Sequence, residues 1–242
     1  MKTDILATEV IDKIAVVTLG SPKKMYFDMA MGDALTEELQ AFAGNPDVRV
    51  VIITGGTPGY FNRHFDIPAL IAIAEQIRAS GRQWPDNASY HGGFFDKAMA
   101  ICETMPKPVI AAISGTALAG AFEFTLACDI RIAEDGDYLI GLPETELGLL
   151  PGASGTQRLR RTVGMAAALW HILMGKPLSP REAEAKGLST KQSRVKPLIA
   201  RWKLQGICRN ILRNRGLTLS ASSAAPMKRL WRMGWLSNEI FS

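Results

Sequence analysis

Two uninterrupted apolar runs, each followed by a glycine-containing turn and a helical pattern, constrain the fold of this chain most strongly. The runs are Val48–Thr54 (VRVVIIT) and Val109–Ser114 (VIAAIS), and almost every side chain in them is apolar. A strand that lacks polar alternation is buried on both faces, which is typical of a parallel sheet covered on both sides. The chain is therefore expected to fold as an α/β protein.

Strand and helix patterns alternate along the rest of the first two thirds of the chain. Apart from the two runs, strands are predicted at 14–19 and 129–133, and helices at 29–43, 67–78, 94–103 and 118–128. From residue 160 the chain is mainly helical in pattern, and Ser179-Pro180 is a plausible helix start. This order favours α/β layers with largely parallel strand pairing.

Composition excludes several classes of protein. The 242 residues are 47% hydrophobic, and the three cysteines lie far apart, so a disulfide scaffold or zinc ribbon is excluded and a cytoplasmic location is expected. We expect no signal peptide and, without an apolar run of about 18 residues, no membrane span. His91 and His171 have no partners at ligand spacing, so no metal is expected. No glycine-rich nucleotide motif occurs.

Charge divides the chain into two predicted regions, a core at 1–188 and a basic, helical C-terminal region of atypical sequence at 189–242. The net charge of +5 arises wholly from the second region, which holds eleven Lys/Arg and a single acid, Glu239. Such a region is either a basic surface for CoA phosphates, RNA or an anionic membrane, or a tail altered by an event such as a reading-frame shift. The abrupt change in composition favours the second interpretation.

Two glutamates are candidate acid–base groups. Glu123 is enclosed by apolar residues, and an enclosed carboxyl has a raised pKa that suits proton transfer near neutral pH. Glu144 follows Pro143 beside glycine-rich loops, which restricts its backbone. Taken alone, Glu123 is more simply a solvated or ion-paired position and Glu144 a turn acid.

The turns at 55–66 and 114–120 could each expose backbone amides, and two such amides could form an oxyanion hole for a developing enolate.

The segments 109–133 (VIAAISGTALAGAFEFTLACDIRIA) and 142–159 (LPETELGLLPGASGTQRL) resemble the central signature of the crotonase superfamily, the enoyl-CoA hydratase/isomerase family. Residues 47–66 are similar to its preceding strand and FxxGxD-like loop, and the resemblance runs from about 14 to 188. It implies a spiral of repeated ββα units with a C-terminal helical region. It also implies an acyl-CoA thioester as substrate, with no cofactor besides the coenzyme A that the substrate carries, and a homotrimer or a dimer of trimers.

The resemblance assigns roles to particular residues. The amides of Gly120 and Phe65 match the two oxyanion donors, and Glu123 and Glu144 match the two acids that hydratases use together. Further substrate contacts are implied for residues that lie within or beside the matched motifs: Lys24, Phe27, His64, Asp66, Phe122, Pro143 and Gly152.

Several positions depart from the family pattern. Ala119-Gly120-Ala121 stands where the family has three glycines, and Phe122 is bulky for its place and could shape the acyl pocket. His64 stands where glycine is usual, either as an added acid–base or substrate contact or, as we favour, as a structural loop histidine.

The sequence therefore predicts an enoyl-CoA hydratase that works through an oxyanion-stabilised enolate and two glutamates. An enoyl-CoA isomerase, or another thioester-enolate reaction on the same fold, is the alternative within the family. A non-catalytic RNA-binding protein that uses the basic tail is the alternative of another class, and no DNA partner is expected.

Overall fold

The computed structural model describes residues 5–20, 25–81 and 96–193. The strands are β1 (Leu6–Ile11), β2 (Ile14–Leu19), β3 (Val50–Gly55), β4 (Gly59–Asn62), β5 (Val109–Ile113), β6 (Gly115–Leu118), β7 (Ile130–Glu134), β8 (Ile140–Gly141) and β9 (Lys191–Ser193). The helices are α1 (Met29–Gly44), α2 (Ile67–Ala79), α3 (Asp96–Thr104), α4 (Gly120–Ala127), α5 (Gly155–Val163), α6 (Met165–Met174) and α7 (Pro180–Ala185), with a short 3₁₀ helix at Glu144–Leu147.

The strands form two sheets. The larger sheet has the order β1-β2-β3-β5-β7-β9 and is parallel except for the β1–β2 hairpin, whereas the smaller one, β4-β6-β8, is parallel throughout. Each successive turn of the chain gives one strand to each sheet: β3 and β4, then β5 and β6, then β7 and β8. A helix follows β4 and β6, which confirms the predicted spiral of ββα units.

Both faces of the two central strands of the larger sheet, β3 and β5, are buried, as the apolar runs predict. Val51, Ile53 and Ala111 belong to the main core with the residues of α1 and α3, while Val50 and Ile110 belong to a smaller cluster of the alternate residues. Because neighbouring residues of a strand point to opposite faces, two buried faces require the unbroken apolar sequence of β3 and β5.

The chain passes from the larger to the smaller sheet through a tight corner at Gly115. A Cβ atom at this position would lie 2.1 Å from the Gly59 carbonyl carbon and 2.2 Å from the Tyr60 nitrogen, so only glycine fits where β6 meets β4. The corner directs β6 toward the start of α4. The first turn of α4 therefore lies at the carboxyl end of β6, the central strand of the smaller sheet.

The predicted strands and helices are confirmed with small shifts of their ends, but β1, β4, β6, β8 and β9 were not predicted. The helix predicted at 118–128 begins at Gly120, because Leu118 belongs to β6. Ser179 caps α7 through a reciprocal pair of hydrogen bonds with Glu182, as its sequence suggests. Cys102 and Cys128 are buried in the main core.

The basic C-terminal region lies outside the described residues beyond Ser193, and its predicted helices are therefore not part of this description. Its first residues include β9, which pairs with β7 just past the predicted boundary at residue 188. Within the described ranges, no helix has the length and apolar character needed to cross a membrane.

Candidate active site

The first turn of α4 presents backbone amides at the carboxyl end of β6 in the smaller sheet. The first N–H groups of a helix have no partner within it, and the Gly120 amide donates to no acceptor among the described residues. Ala119 has φ +51° and ψ −129°, a sparsely populated conformation for alanine that sets the orientation of the peptide carrying the Gly120 N–H. Such an amide, together with the helix dipole, can stabilise negative charge on a ligand oxygen.

Phe65 lies beside this helix start. A Cβ atom built on Gly120 would lie 3.9 Å from the Phe65 Cβ. The chain around Phe65 is held by a parallel bridge to Phe27, whose N–H donates to the His64 carbonyl oxygen at 2.9 Å and whose carbonyl accepts from the Asp66 N–H at 2.8 Å. The two residues named as oxyanion donors are thus neighbours, and the action of both amides on one oxygen stays a prediction.

Glu123 lies in the first turn of α4 with only 2% of its surface exposed. Its Oε1 atom accepts hydrogen bonds from the N–H groups of Ala153 at 2.9 Å and Gly155 at 2.7 Å. Burial raises the pKa of the Glu123 carboxyl to about 7; the two amides and the Arg158 charge oppose the rise, and the Asp96 charge adds to it. The carboxyl is therefore both enclosed and held as an acceptor, so it is not a solvated helix position.

The turn that holds Glu123 was not recognised from the sequence. A Cβ atom at Gly155 would lie 2.7 Å from the Glu123 Oε1 and 2.9 Å from its Cγ, so any larger residue would displace the carboxyl. Ser154, between the two donors, has φ +65°, and this left-handed residue lets the flanking N–H groups converge on one oxygen. The signal available in the sequence was the glycine-rich run 152–155, whose partner lies some thirty residues earlier in the chain.

Glu144 begins the 3₁₀ helix and differs from Glu123 in its surroundings. It is 8% exposed, and neither carboxyl oxygen has a hydrogen-bond partner among the described residues. Burial, and then the Glu123 charge, raise the pKa of the Glu144 carboxyl to about 8. A buried carboxyl with unused oxygens and a raised pKa can hold a proton at neutral pH and exchange it with a bound molecule.

Two of the aromatic residues expected to contact substrate lie in the core. Phe122 and Phe27 have no exposed surface, and the Phe27 ring packs on Phe124 with centroids 5.7 Å apart. Both rings belong to the main core, which packs against the first turn of α4. A direct contact between either side chain and an acyl chain stays a prediction.

The other predicted contact residues that the structure describes lie in loops or at helix starts. The Asp66 carboxylate caps α2 by accepting from the Ala69 N–H at 3.1 Å, and His64 Nδ1 lies 2.6 Å from the Phe65 carbonyl oxygen, which agrees with a structural role for this histidine. Pro143 directly precedes the 3₁₀ helix, Gly152 is exposed with open space around its Cα, and Lys24 lies outside the described residues.

Taken together, these groups can perform proton transfer beside a site for negative charge. The structure brings Glu123, Glu144, Gly120 and Phe65 to one place: the Glu123 Oε2 lies 4.0 Å from a Cβ built on Gly120, and the Glu123 charge acts on Glu144. Among the described residues no group of three or more His, Cys, Asp or Glu side chains could hold a metal ion.

The chain is similar in sequence to known proteins. The sequence profile of a family described as enoyl-CoA hydratase/isomerase matches residues 9–203. A Bacillus subtilis protein named "Probable enoyl-CoA hydratase" is 37% identical over 175 residues, which are 72% of this chain and 64% of that protein. The fatty acid oxidation complex subunit alpha of Shewanella loihica is 37% identical over 180 residues, 72% of this chain but only 24% of the subunit. The chain thus spans less than two thirds of these relatives' own lengths.

Solved structures show the same fold. The crystal structure of an enoyl-CoA hydratase from Bacillus anthracis superposes with a TM-score of 0.75 at 27% identity, covering 96% of this chain and 90% of that one. An enoyl-CoA hydratase/carnithine racemase from Magnetospirillum magneticum gives a TM-score of 0.79 at 26% identity, covering 98% and 85% of the two chains.

Proposed function

Because this chain belongs to the enoyl-CoA hydratase/isomerase family, we propose that it is an enoyl-CoA hydratase, which adds water to a 2-enoyl-CoA thioester to give a 3-hydroxyacyl-CoA. The observation that carries the proposal is the pair of buried carboxyls, Glu123 held by two amides and Glu144 with both oxygens unused. Hydration needs a base for water and an acid for the substrate carbon, and two carboxyls in different surroundings can divide these roles.

The thioester oxygen binds the amides of Gly120 and Phe65 in this mechanism. As the oxygen of water attacks the β carbon, the electrons of the C=C bond move toward the carbonyl, and negative charge develops on the thioester oxygen. Amides aimed at that oxygen stabilise the enolate without reorganisation, an effect commonly worth about 10²- to 10³-fold in rate for one donor. The dipole of α4 contributes in the same direction.

Glu123 takes the proton of water while the hydroxyl oxygen bonds to the β carbon, and Glu144 delivers a proton to the α carbon. The pKa of Glu144, raised to about 8, keeps its proton available near neutral pH, while the lower value of about 7 leaves a larger fraction of Glu123 ionised. In the reverse direction the two carboxyls exchange roles. The reaction needs no metal or redox cofactor, and coenzyme A arrives as part of the substrate.

One feature also supports an enoyl-CoA isomerase as a second candidate. Isomerisation moves a proton between two carbons of the same acyl chain, and one unbonded carboxyl of raised pKa, such as Glu144, is enough for that step. Hydration requires both glutamates, so the requirement for Glu123 separates the two reactions.

The decisive experiment is a panel of 2-enoyl-CoA thioesters of increasing chain length, followed through the loss of conjugated absorbance. We expect Glu123→Gln and Glu144→Gln each to reduce hydration by about 10²-fold or more while the protein stays folded. Glu146→Gln, an exposed residue of the same 3₁₀ helix, is the matched control and should retain full activity. Parent-level hydration by either active-site variant would refute the two-glutamate mechanism.

We further propose that the protein works in the cytoplasm as a homotrimer or a dimer of trimers. Exposed apolar side chains of α6, of the end of the 3₁₀ helix and of the loop after it support self-association: Leu147, Leu149, Leu150, Leu169, Trp170 and Leu173. Water-exposed side chains of this size in one region are typical of a contact surface.

A further inference from the structure

The turn that binds Glu123 is itself held by a partly buried ion pair. Arg158 on α5 meets Glu103 on α3 through two parallel hydrogen bonds, Nε to Oε1 at 2.9 Å and Nη2 to Oε2 at 3.2 Å. The two side chains are only 11% and 25% exposed, and paired forks of this kind fix both position and orientation.

The same guanidinium reaches the turn directly. Arg158 Nη1 donates to the Ala153 carbonyl oxygen at 2.8 Å, while the Ala153 N–H donates to Glu123 Oε1 at 2.9 Å. Ala153 therefore accepts a hydrogen bond from Arg158 through its carbonyl oxygen and donates one to Glu123 through its amide. Gly155 completes the contact from the other end of the turn.

We propose that Glu103 and Arg158 are positioning residues, which lock the turn 153–155 in the conformation whose two amides hold the Glu123 carboxylate. This inference rests on the proposed function, because it takes Glu123 as the base that activates water. The pair touches no reacting atom, and it acts through the turn. A displacement of about 1 Å in a catalytic group can cost about 10²-fold in rate, so the brace has a measurable consequence.

The charges around Glu123 determine the direction of the pH effect. The helix α4 packs against α3, α5 and β6, and β6 carries no charged residue. The charged residues of α3 and α5 fall into two groups: Asp96, Glu103 and Arg158 are partly buried, whereas Lys97, Arg160 and Arg161 are exposed. Glu144 approaches from the 3₁₀ helix. Arg158 is the cation of this set that lowers the pKa of Glu123, so its removal should raise that pKa.

The first test compares steady-state kinetics over a range of pH for Arg158→Met, Arg158→Lys and Glu103→Gln. We expect kcat of Arg158→Met to fall about ten- to a hundredfold with a smaller change in KM, and its acidic limb to move to higher pH by about half a unit or more. Arg158→Lys keeps the charge but loses the fork, so it should lose kcat with less movement of that limb. If Arg158→Met does not fold, the kcat of Arg158→Lys still tests the proposal.

A double-variant cycle tests whether the two residues act as one device. Glu103→Gln should lower kcat several-fold, and the double variant with Arg158→Met should be no worse than Arg158→Met alone, because both changes release the same turn. The exposed pair Arg181 and Asp135, with N and O atoms 3.0 Å apart, gives the matched controls Arg181→Met and Asp135→Asn, which should behave as the parent.

A direct titration keeps this inference separate from the proposed function. The Glu123 carboxyl is followed by ¹³C NMR in protein labelled at glutamate Cδ, and its signal is assigned by its loss in Glu123→Gln. A higher Glu123 pKa in folded Arg158→Met supports the brace even if the parent protein hydrates no thioester. An unchanged pKa together with an unchanged kcat, or equal effects in the control pair, would overturn it.

Discussion

At the scale of single residues, the two glutamates show how one fold prepares an acid and a base from the same functional group. Both are buried, and burial raises the pKa of each. Two backbone amides and a nearby guanidinium limit the rise at Glu123, whereas the unbonded Glu144 also experiences the charge of Glu123. Hydrogen bonding at Glu123 and the charge that Glu123 exerts on Glu144 together assign the roles.

This difference predicts a bell-shaped dependence of kcat/KM on pH. Hydration needs ionised Glu123 and protonated Glu144, so activity should rise through a pKa of about 7 and fall through one of about 8. Because the carboxyls interact, the measured values belong to the pair. Initial rates between pH 5 and 10 give the profile. A flat profile across this range would contradict the assignment of acid and base.

The unbonded Glu144 should also limit stability at alkaline pH. Its pKa is raised in the folded protein to about 8, so its favourable contribution is complete below the unfolded value near 4.5 and is lost as the pH rises through 8. Glu144→Gln removes this loss and should stabilise the protein at pH 9 by about 1 to 3 kcal/mol, with little change at pH 5.

Urea unfolding at the two pH values measures the stability effect of that substitution. Glu146→Gln provides the control, since its exposed side chain has no comparable burial. A gain of equal size at pH 5 and pH 9 would mean that packing, and not ionisation, causes the stabilisation.

At the scale of structural elements, the start of α4 and the turn before α5 form one unit. The turn contributes two amides to a glutamate of α4, and Gly155 leaves no room for a side chain beside that carboxyl. The function of α4 therefore depends on a segment that follows it by two strands, a 3₁₀ helix and a loop.

Gly155→Ala should accordingly disable the site while leaving the fold in place. The added methyl carbon would lie 2.7 Å from Glu123 Oε1 and 2.9 Å from its Cγ, so the carboxyl must shift, which strains its hydrogen bonds with the two amides. We expect hydration to fall by about 10²-fold, as for a misplaced catalytic group. Gly44→Ala, at the end of α1 where an added Cβ meets nothing within 4 Å, is the control. Full activity of Gly155→Ala would show that the amide contacts are not required.

The lengths and burial of the elements also explain which parts of the fold could be predicted from the sequence. Strands β3 and β5 were predicted because burial on both faces leaves an unbroken apolar pattern. Strands β4, β6 and β8 have four, four and two residues, too few for any periodicity to emerge, and β8 consists only of Ile140 and Gly141. Glu123 and Glu144 were found through their motifs, whereas the Glu103–Arg158 brace joins positions 55 residues apart that no local pattern connects.

At the scale of the whole molecule, the described residues include exposed apolar side chains on α6 and on the 3₁₀ helix that carries Glu144. Trp170 and Leu173 on α6 are 62% and 66% exposed, and Leu147 at the end of the 3₁₀ helix is 69% exposed. Thr145 Oγ1 donates to the Ile172 carbonyl oxygen at 2.9 Å, so α6 and the element that carries Glu144 are directly joined. An association through this surface would thus be coupled mechanically to a catalytic group.

This arrangement predicts that a charge on α6 weakens both assembly and catalysis. Trp170→Arg places a cation within apolar surface that we expect to be covered by another copy, and desolvating it would cost several kcal/mol. Sedimentation velocity should show a smaller species than the parent protein, and the hydration rate at low protein concentration should fall. Val10→Glu changes an exposed apolar residue of β1 and serves as the control for a general effect of surface charge. If Trp170→Arg sediments as the parent does, α6 is not part of the contact between copies.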